Sequence, residues 1–263
     1  MRDVVYVTLP VHNEEHTIGV LMWKIRKVFA DLDRDFRILV ADDASTDVTA
    51  DVLEPYRRVL PLTVFRNATR QGYAASLEAL IREAVRQSRY PKRDAVLVMQ
   101  GDFTDGPEMI PELLRRFQGG ADLVAGRTVD VREAPRSVRL ARFGAGMIAR
   151  PAALAESEED PYCGFRLYRL VALKRALRDV PDDGRLLRYD GWAASMELLT
   201  VVAPHLRSST QVDIATDYTR RYRTSRFRAF STLWGLFRAS RDPRLKKIAV
   251  SGGSGRSPAE RTA

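Results

Sequence analysis

The sequence predicts an α/β protein whose mostly parallel sheet is flanked by helices. Short runs rich in Val, Ile and Leu alternate with segments whose apolar residues recur every three or four positions. Strands that are buried on both faces and linked by helices form parallel sheets with right-handed crossovers. The chain has 263 residues, 45% of them hydrophobic, which is enough for one large domain with a sizeable core.

Five strands and three helices are predicted in the first half of the chain. The predicted strands are VVYVTLPV, FRILVADD, PLTVFRN, DAVLVMQ and DLVAGR. The helical patterns between them cover about residues 18–29, 75–85 and 109–117. Strand and helix therefore alternate at the rhythm of a doubly covered sheet.

The second half is predicted in less detail. Residues 128–160 are charged and alanine-rich, and we expect a partly mobile segment over the sheet edge. CGFRLYRLVALKRAL is typical of a strand that enters a helix. A helix over Trp192 to Val202 and a strand over Gln211 to Ala215 are also expected.

The formal net charge of +9 is concentrated in one region. Residues 218–247 contain ten Lys and Arg residues against one acid, Asp242. As a helix, RFRAFSTLWGLFRAS would carry its aromatic residues mainly on one side, which is typical of segments at anionic membrane surfaces. Alternatively, these aromatic residues pack against the domain. No nucleic-acid partner is expected, because no binding motif accompanies the arginines.

The cysteine content bears on the cellular compartment. Cys163 is the sole cysteine, and the chain has no array of Cys and His at metal-ligand spacing. No signal peptide is visible, and no apolar run approaches the roughly 20 residues of a membrane span. We therefore expect a cytoplasmic protein, either soluble or peripheral at the inner face of the membrane.

Polar residues cluster after the predicted strands, where parallel sheets bind ligands. They are His12, Asn13, Glu14, Glu15, Asp42, Asp43, Asn67, Arg70, Gln100, Asp102, Asp105 and Arg127. No G-x-G-x-x-G follows the first strand and no P-loop motif is present. A carboxylate after the second strand can accept hydrogen bonds from a base or ribose, and one after the fourth can hold a divalent cation on a diphosphate. The pattern predicts a nucleotide diphosphate site with a metal.

Six ordered motifs, from about Val4 to Arg175, resemble those of glycosyltransferase family 2. LPVHNEE is similar to P-x-Y-N-E, with His12 in place of Tyr, VADDASTDVT to V-D-D-G-S-x-D-G-T, and RQGYAAS to R-N-x-G-x-A. VMQGDFTDGPEMI resembles the metal-site segment of dolichyl-phosphate mannosyltransferases and bacterial polyprenyl-phosphate sugar synthases. ADLVAGR and DPYCGFRLYR resemble A-D-x-V-x-G-S-R and D-x-x-S-G-F-R-x-x-R.

The resemblance implies a GT-A fold. Residues 1–217 would form the glycosyltransferase domain, with a nucleotide-sugar half over 1–127 and an acceptor half over 128–217. A basic amphipathic segment over 218–250 and a disordered tail over 251–263 would follow.

Site roles are implied by the same motifs. Substrate-binding residues would be Pro10, His12 and Glu14 near the nucleotide, Asp43 on the base, Arg70 beside the donor, Gln100, and Arg127 facing the acceptor. Asp102 and Arg166 are the expected catalytic residues: Asp102 as the metal-binding acid, with Gln100 as second ligand, and Arg166 on an acceptor phosphate.

The chain has Q-G-D where the family has D-x-D, which leaves three hypotheses open. An amide oxygen at Gln100 can ligate Mg or Mn, but it lacks the negative charge of a carboxylate. In the second hypothesis, Arg or Lys side chains neutralise the leaving diphosphate without a metal. In the third, the protein is a non-catalytic nucleotide-sugar-binding homologue.

The function implied is sugar transfer from a nucleotide diphosphate sugar, with inversion, to a polyprenyl phosphate. An ionised phosphate acceptor would require no catalytic base. The alternative acceptor is a soluble hydroxyl compound or glycan, which would need a base such as Asp160.

Overall fold

The computed structural model describes residues 3–130, 136–149, 160–180, 184–215 and 229–253. Within these ranges, seven strands form one sheet in the order β3-β2-β1-β4-β6-β5-β7. The strands are β1 (Val4–Val11), β2 (Asp35–Asp42), β3 (Leu62–Arg66), β4 (Ala95–Val98), β5 (Leu123–Asp130), β6 (Arg166–Arg169) and β7 (Ser209–Ala215).

Helices cover both faces of the sheet. They are α1 (Ile18–Ala30), α2 (Thr49–Leu53), α3 (Tyr73–Gln87), α4 (Ile110–Gln118), α5 (Arg136–Ala149), α6 (Leu170–Arg178), α7 (Trp192–Val202), α8 (Ala229–Arg241) and α9 (Pro243–Gly253). The predicted α/β class with a mostly parallel sheet is confirmed. The five strands and three helices predicted in the first half are also confirmed, with small shifts at their ends.

One strand departs from the parallel arrangement. β6 pairs antiparallel with both β4 and β5, whereas the other strand pairs within the described ranges are parallel. β6 leads directly into α6, as predicted, and it lies between β4 and β5 in the sheet. The sheet is therefore continuous across both predicted halves of the domain.

The two faces of the sheet have separate cores because successive strand residues point to opposite sides. Val5, Val7 and Leu9 of β1 pack into the core that includes α1 and α4. Tyr6 points the other way, into the core that includes α3, α6 and α7. A central strand buried on both faces explains the continuous apolar run at the start of the sequence.

The second half contains a helix that the sequence did not predict. α5 lies inside the segment 128–160, which was expected to be partly mobile, and Thr128 to Asp130 continue β5. Residues 131–135 and 150–159 lie outside the described residues. Ala141 and Ala145 of α5 are buried.

The basic segment predicted over 218–250 is described from residue 229 onward, where it forms α8 and most of α9. Residues 216–228 lie outside the described residues. α8 buries Leu236 and Ala239 and leaves Trp234 exposed. α9 continues to Gly253, slightly beyond the predicted start of the tail, and residues 254–263 are outside the described ranges. Among the described helices, none is long and apolar enough to cross a membrane.

A buried carboxylate joins the strands of the second half. Asp122, directly before β5, accepts hydrogen bonds from Arg169 Nε at 2.6 Å and from Arg207 Nε at 3.2 Å. Its Oδ2 also accepts the backbone N–H of Arg207 at 3.0 Å. Burial raises the pKa of Asp122, but the hydrogen bonds from Arg207 and Arg169 outweigh it and lower that pKa overall.

We predict that Asp122→Asn destabilises the protein at neutral pH by about 1–3 kcal/mol. Because the folded pKa of Asp122 is lowered, its contribution is present above its unfolded pKa of about 3.9 and is lost as pH falls through the folded pKa. Urea unfolding should therefore show a gap between wild type and variant at pH 7 that narrows at acidic pH. Asp51→Asn, at an exposed acid, is the control. A gap that stays constant with pH would contradict this role.

Candidate functional site

Four loops meet at the carboxyl ends of the parallel strands. They follow β1, β2, β3 and β4, which are neighbours in the sheet. The sequence predicted that their polar residues would lie on one rim. The structure brings these loops together through direct hydrogen bonds between them.

The loops after β1 and β2 are joined at two points. His12 Nδ1 donates to the backbone oxygen of Asp43 at 2.8 Å. The backbone N–H of Asn13, at φ 54°, donates to Ser45 Oγ at 2.9 Å. The position of His12 in the β1 motif is therefore fixed by a backbone contact.

The loops after β1 and β4 are joined through Thr17. Its hydroxyl lies 2.9 Å from Glu14 Oε2 and 3.0 Å from the backbone oxygen of Gly101. A Cβ on Gly101 would lie 2.6 Å from Val11 Cγ1, so a side chain there would push the β4 loop away from β1. Glu14 is buried, and its carboxylate has this internal contact near the predicted nucleotide position. Sequence reasoning did not identify Thr17.

Asp43 joins the end of β2 to the loop after β3. Its Oδ1 accepts from Asn67 Nδ2 at 2.9 Å and from the backbone N–H of Gln71 at 2.7 Å, and its Oδ2 accepts from the N–H of Gly72 at 2.9 Å. Burial raises the pKa of Asp43, but these hydrogen bonds outweigh it and the pKa is lowered overall. Asp43 is thus an ionised clamp at neutral pH.

The segment after β4 is ordered by its own carboxylates. Asp102 Oδ1 accepts from the N–H of Thr104 at 3.0 Å and from its hydroxyl. Asp105 is buried, and its Oδ2 accepts from the N–H of Gln100 at 2.8 Å. Asp105 thereby stabilises the turn between Gln100 and Asp105. The Gln100 amide lies near Gly164.

The segment after β4 contains the two residues predicted to hold a metal, Gln100 and Asp102. No group of three or more His, Cys, Asp or Glu side chains that could hold a metal occurs in the described part of the chain. Asp102 and Gln100 supply one carboxylate and one amide oxygen. Mg²⁺ commonly binds one or two carboxylates together with substrate phosphates and water, so this pair fits a metal that the substrate helps to hold.

The predicted arginines have different environments. Arg70 is exposed on the loop after β3. Arg127 Nε donates to Asp213 Oδ1 at 2.7 Å, which ties β5 to β7. An acceptor phosphate at Arg127 would therefore have to compete with an aspartate.

Arg166, which the resemblance places on an acceptor phosphate, lies in the interior of the domain. Arg166 is fully buried, and its guanidinium donates to the backbone oxygens of Ser195 at 2.6 Å, Pro161 at 2.7 Å and Asp160 at 3.3 Å. These bonds hold the loop before β6 against α7. The sequence motif indicated that this arginine is important, but residue spacing cannot distinguish an exposed guanidinium group from a buried one.

Cys163 and Asp160 lie near Arg166 and are poor candidates for a catalytic base. Burial raises the pKa of Cys163 to about 12, with Asp160 and Asp105 contributing, so the thiol is neutral. Asp160, considered as a base for a hydroxyl acceptor, is buried and paired with Arg142. An ion-paired, buried carboxylate is poorly placed to take a proton from an acceptor.

Asp190 is a further residue at this rim that the sequence analysis missed. Its Oδ1 accepts the N–H of Ala74 at 2.8 Å, in the first turn of α3. The available signal was an Asp-Gly pair directly before the helix at Trp192, which is typical of a turn. Sequence spacing gave no indication that this turn touches α3.

The chain is similar in sequence to a known protein family and to curated proteins. The family model described as Glycosyl transferase family 2 matches residues 6–177. The chain is 26% identical over 178 residues to the undecaprenyl-phosphate 4-deoxy-4-formamido-L-arabinose transferase of Edwardsiella ictaluri, covering 66% of this chain and 51% of that protein. It is 31% identical over 122 residues to the protein of the same name from Pseudomonas aeruginosa, covering 46% and 34%. The chain thus spans about half the length of these relatives or less.

Solved structures share the fold. Mannosyl-3-phosphoglycerate synthase from Rubrobacter xylanophilus aligns with a TM-score of 0.66 at 19% identity, covering 93% of this chain and 74% of that one. Glucosyl-3-phosphoglycerate synthase from Mycobacterium tuberculosis, in complex with Mn²⁺, UDP-glucose and phosphoglyceric acid, aligns with a TM-score of 0.61 at 20% identity, covering 98% and 81%.

We predict that Arg166→Met lowers the free energy of unfolding by about 3 kcal/mol or more, because three buried carbonyl groups lose their donor. Arg127→Met is the matched control. Its partly exposed ion pair should contribute about 1 kcal/mol or less. Urea unfolding measures both variants. Unchanged stability of the Arg166→Met protein would contradict this structural role. It would favour the expected contact between Arg166 and an acceptor phosphate instead.

Proposed function

The chain belongs to glycosyl transferase family 2, and we propose that it transfers a sugar from a nucleotide diphosphate sugar to a polyprenyl phosphate. The observation that carries the proposal is the set of hydrogen bonds that joins four strand-end loops around Asp43 and Gly101. The names of the curated relatives support a polyprenyl phosphate acceptor.

In this proposal the donor nucleotide lies over the ends of β1 and β2. Pro10 and His12 would border it, and Asp43 would meet the base while it holds Gln71 and Gly72. Support for this placement comes from His12, whose ring contacts the Asp43 backbone, and from the close approach of the β4 loop to β1 at Gly101. The exposed Arg70 would contribute positive charge beside the diphosphate.

Asp102 and Gln100 would hold a divalent metal together with the donor phosphates. A cation bound there would neutralise charge on the leaving diphosphate. The structural relative with Mn²⁺ and UDP-glucose supports a metal of this kind. Thr104 keeps the Asp102 carboxylate oriented by donating to its Oδ1 from both the backbone N–H and the hydroxyl.

The transfer itself needs little acid-base chemistry if the acceptor is a phosphate. The bond between the sugar C1 and the diphosphate oxygen breaks as a bond forms from an acceptor phosphate oxygen to the opposite face of C1. The transition state is oxocarbenium-like, and the nucleoside diphosphate leaves with the electron pair. The acceptor oxygen is already ionised, so no side chain has to remove a proton.

A membrane-facing surface is part of the proposal, because a polyprenyl phosphate resides in a bilayer. Leu140 and Phe143, three residues apart on α5, are 71% and 74% exposed. Trp234 on α8 is 55% exposed, and α8 packs against α5 where Leu233 meets Gly144. Contiguous exposed apolar patches often mark membrane or protein interaction sites, and aromatic residues beside arginines favour anionic interfaces.

The function is tested with a panel of UDP, GDP and dTDP sugars, offered a polyprenyl phosphate or soluble hydroxyl acceptors, with and without manganese. We expect transfer to the polyprenyl phosphate, and Asp102→Asn should reduce it by on the order of a hundredfold or more. Gln100→Asp should lower the manganese concentration for half-maximal activity by on the order of tenfold, since it adds one negative ligand.

Each other result selects an alternative. Transfer to a hydroxyl acceptor alone would replace the lipid phosphate by a soluble compound or glycan. Full activity of the wild type in a metal chelator would establish the metal-independent hypothesis. Nucleotide-sugar binding without transfer to any acceptor would identify a non-catalytic binding protein.

We predict that the protein sediments with anionic vesicles and that Leu140→Glu combined with Phe143→Glu weakens retention by about tenfold. The matched control is Val20→Glu combined with Trp23→Glu, which changes two other exposed apolar residues three positions apart, on α1. Equal loss in both double variants, or no retention of the wild type, would contradict a membrane-facing α5.

A further inference from the structure

Residues Gly184–Gly191, here called the strap, connect the rim of the site to the C-terminal helices. Two buried carboxylates hold its backbone. Glu78 of α3 accepts the N–H of Leu187 at 3.1 Å, and Glu197 of α7 accepts the N–H groups of Arg188 at 2.8 Å and Tyr189 at 3.0 Å. Because Glu197 is fully buried, its bonds to the strap are shielded from water.

Helix α9 supports the strap from behind. Arg244 forms an ion pair with Glu197 and donates to the backbone oxygen of Leu186 at 3.2 Å. Tyr189 donates its hydroxyl to Asp242 Oδ2 at 3.1 Å. These contacts give the strap a fixed position on the domain before any ligand binds.

The front end of the strap reaches the first turn of α3. Gly72 is the N-cap residue of this helix and has a φ of +95°. Because glycine has no side chain, Gly72 itself supplies no side-chain cap. Asp190 supplies a cap from the strap instead, since its Oδ1 accepts the N–H of Ala74 at 2.8 Å. A Cβ on Gly72 would lie 2.9 Å from Asp190 Oδ2, which shows how closely the carboxylate fits there.

Asp190 and Asp43 hold neighbouring parts of one short segment. Asp43 accepts the N–H groups of Gln71 and Gly72, and Asp190 accepts that of Ala74. Loss of the Asp190 contact would free the start of α3, and with it the two amides that orient Asp43. The donor site would then have to be ordered at the expense of binding free energy.

We propose that Asp190 is a positioning residue for the donor nucleotide, acting through residues 71–74 on Asp43. The proposal rests on the proposed function, because it assigns the nucleotide to Asp43. Asp190 is exposed at the rim, and the competing hypothesis is that its carboxylate is a general base for an acceptor hydroxyl. A hydrogen-bond acceptor is all that positioning requires, whereas a base requires an ionisable group.

The test compares Asp190→Asn and Asp190→Ala with the control Asp51→Ala. Asp51 is also an exposed acid, and it lies in the first turn of α2. Calorimetry measures the Kd of UDP and GDP with manganese, and kinetics measure the donor KM and kcat. We expect Asp190→Asn to stay within about twofold of wild type, since its amide oxygen still accepts from Ala74. Asp190→Ala should raise Kd and KM about tenfold and change kcat little. Mass spectrometry verifies that the side-chain amide introduced by Asp190→Asn has not been hydrolysed back to a carboxylate.

Four results would overturn the inference. Equal losses of kcat in both Asp190 variants with unchanged Kd would identify a base. A lower melting temperature for Asp190→Ala with unchanged nucleotide Kd would show a purely structural cap. Failure of the wild type to bind any nucleotide would overturn the proposed function as well, whereas normal binding by both wild type and Asp190→Ala would overturn this inference alone.

Discussion

The site depends on one constraint, the ionised Asp43 carboxylate with its three hydrogen bonds. A carboxylate at the end of a buried strand must be satisfied, and the amides that satisfy Asp43 belong to the loop after β3 and the start of α3. The same residue is tied to the β1 loop through its backbone. Two strand-end loops therefore have their geometry set by a single residue, and the lowered pKa of Asp43 keeps the arrangement charged at neutral pH.

The sheet topology explains why this clamp lies next to the segment after β4. β1 pairs with β2 on one side and β4 on the other, so the three strands end at one edge. Gly101 permits close contact between the β4 and β1 loops, and Thr17 bridges them. The part of the sheet beyond β4 is built differently: antiparallel β6 carries the buried Arg166, which supports the loop before β6.

Most of the sheet could be predicted from the sequence because strands buried on both faces leave continuous apolar runs. The position of β6 could not, since a short apolar strand carries no signal of its direction or partners. α5 was missed because its apolar residues are not confined to one face. Leu140 and Phe143 lie on the exposed side of the helix, so they blur the helical spacing of its buried apolar residues. The motifs indicated Asp43 and Asp102 as candidate site residues, but the burial of Arg166 and the contact of Asp190 with α3 depend on tertiary packing that spacing does not encode.

The central claim is that the clamped Asp43 forms part of a nucleotide site, and calorimetric titration of UDP and GDP tests it most directly. Wild-type protein should bind at least one of the two in the presence of manganese. Asp43→Ala should weaken that binding by about tenfold or more, because a charged group with three hydrogen bonds is removed. Equal affinity of both proteins for the nucleotide would contradict the account.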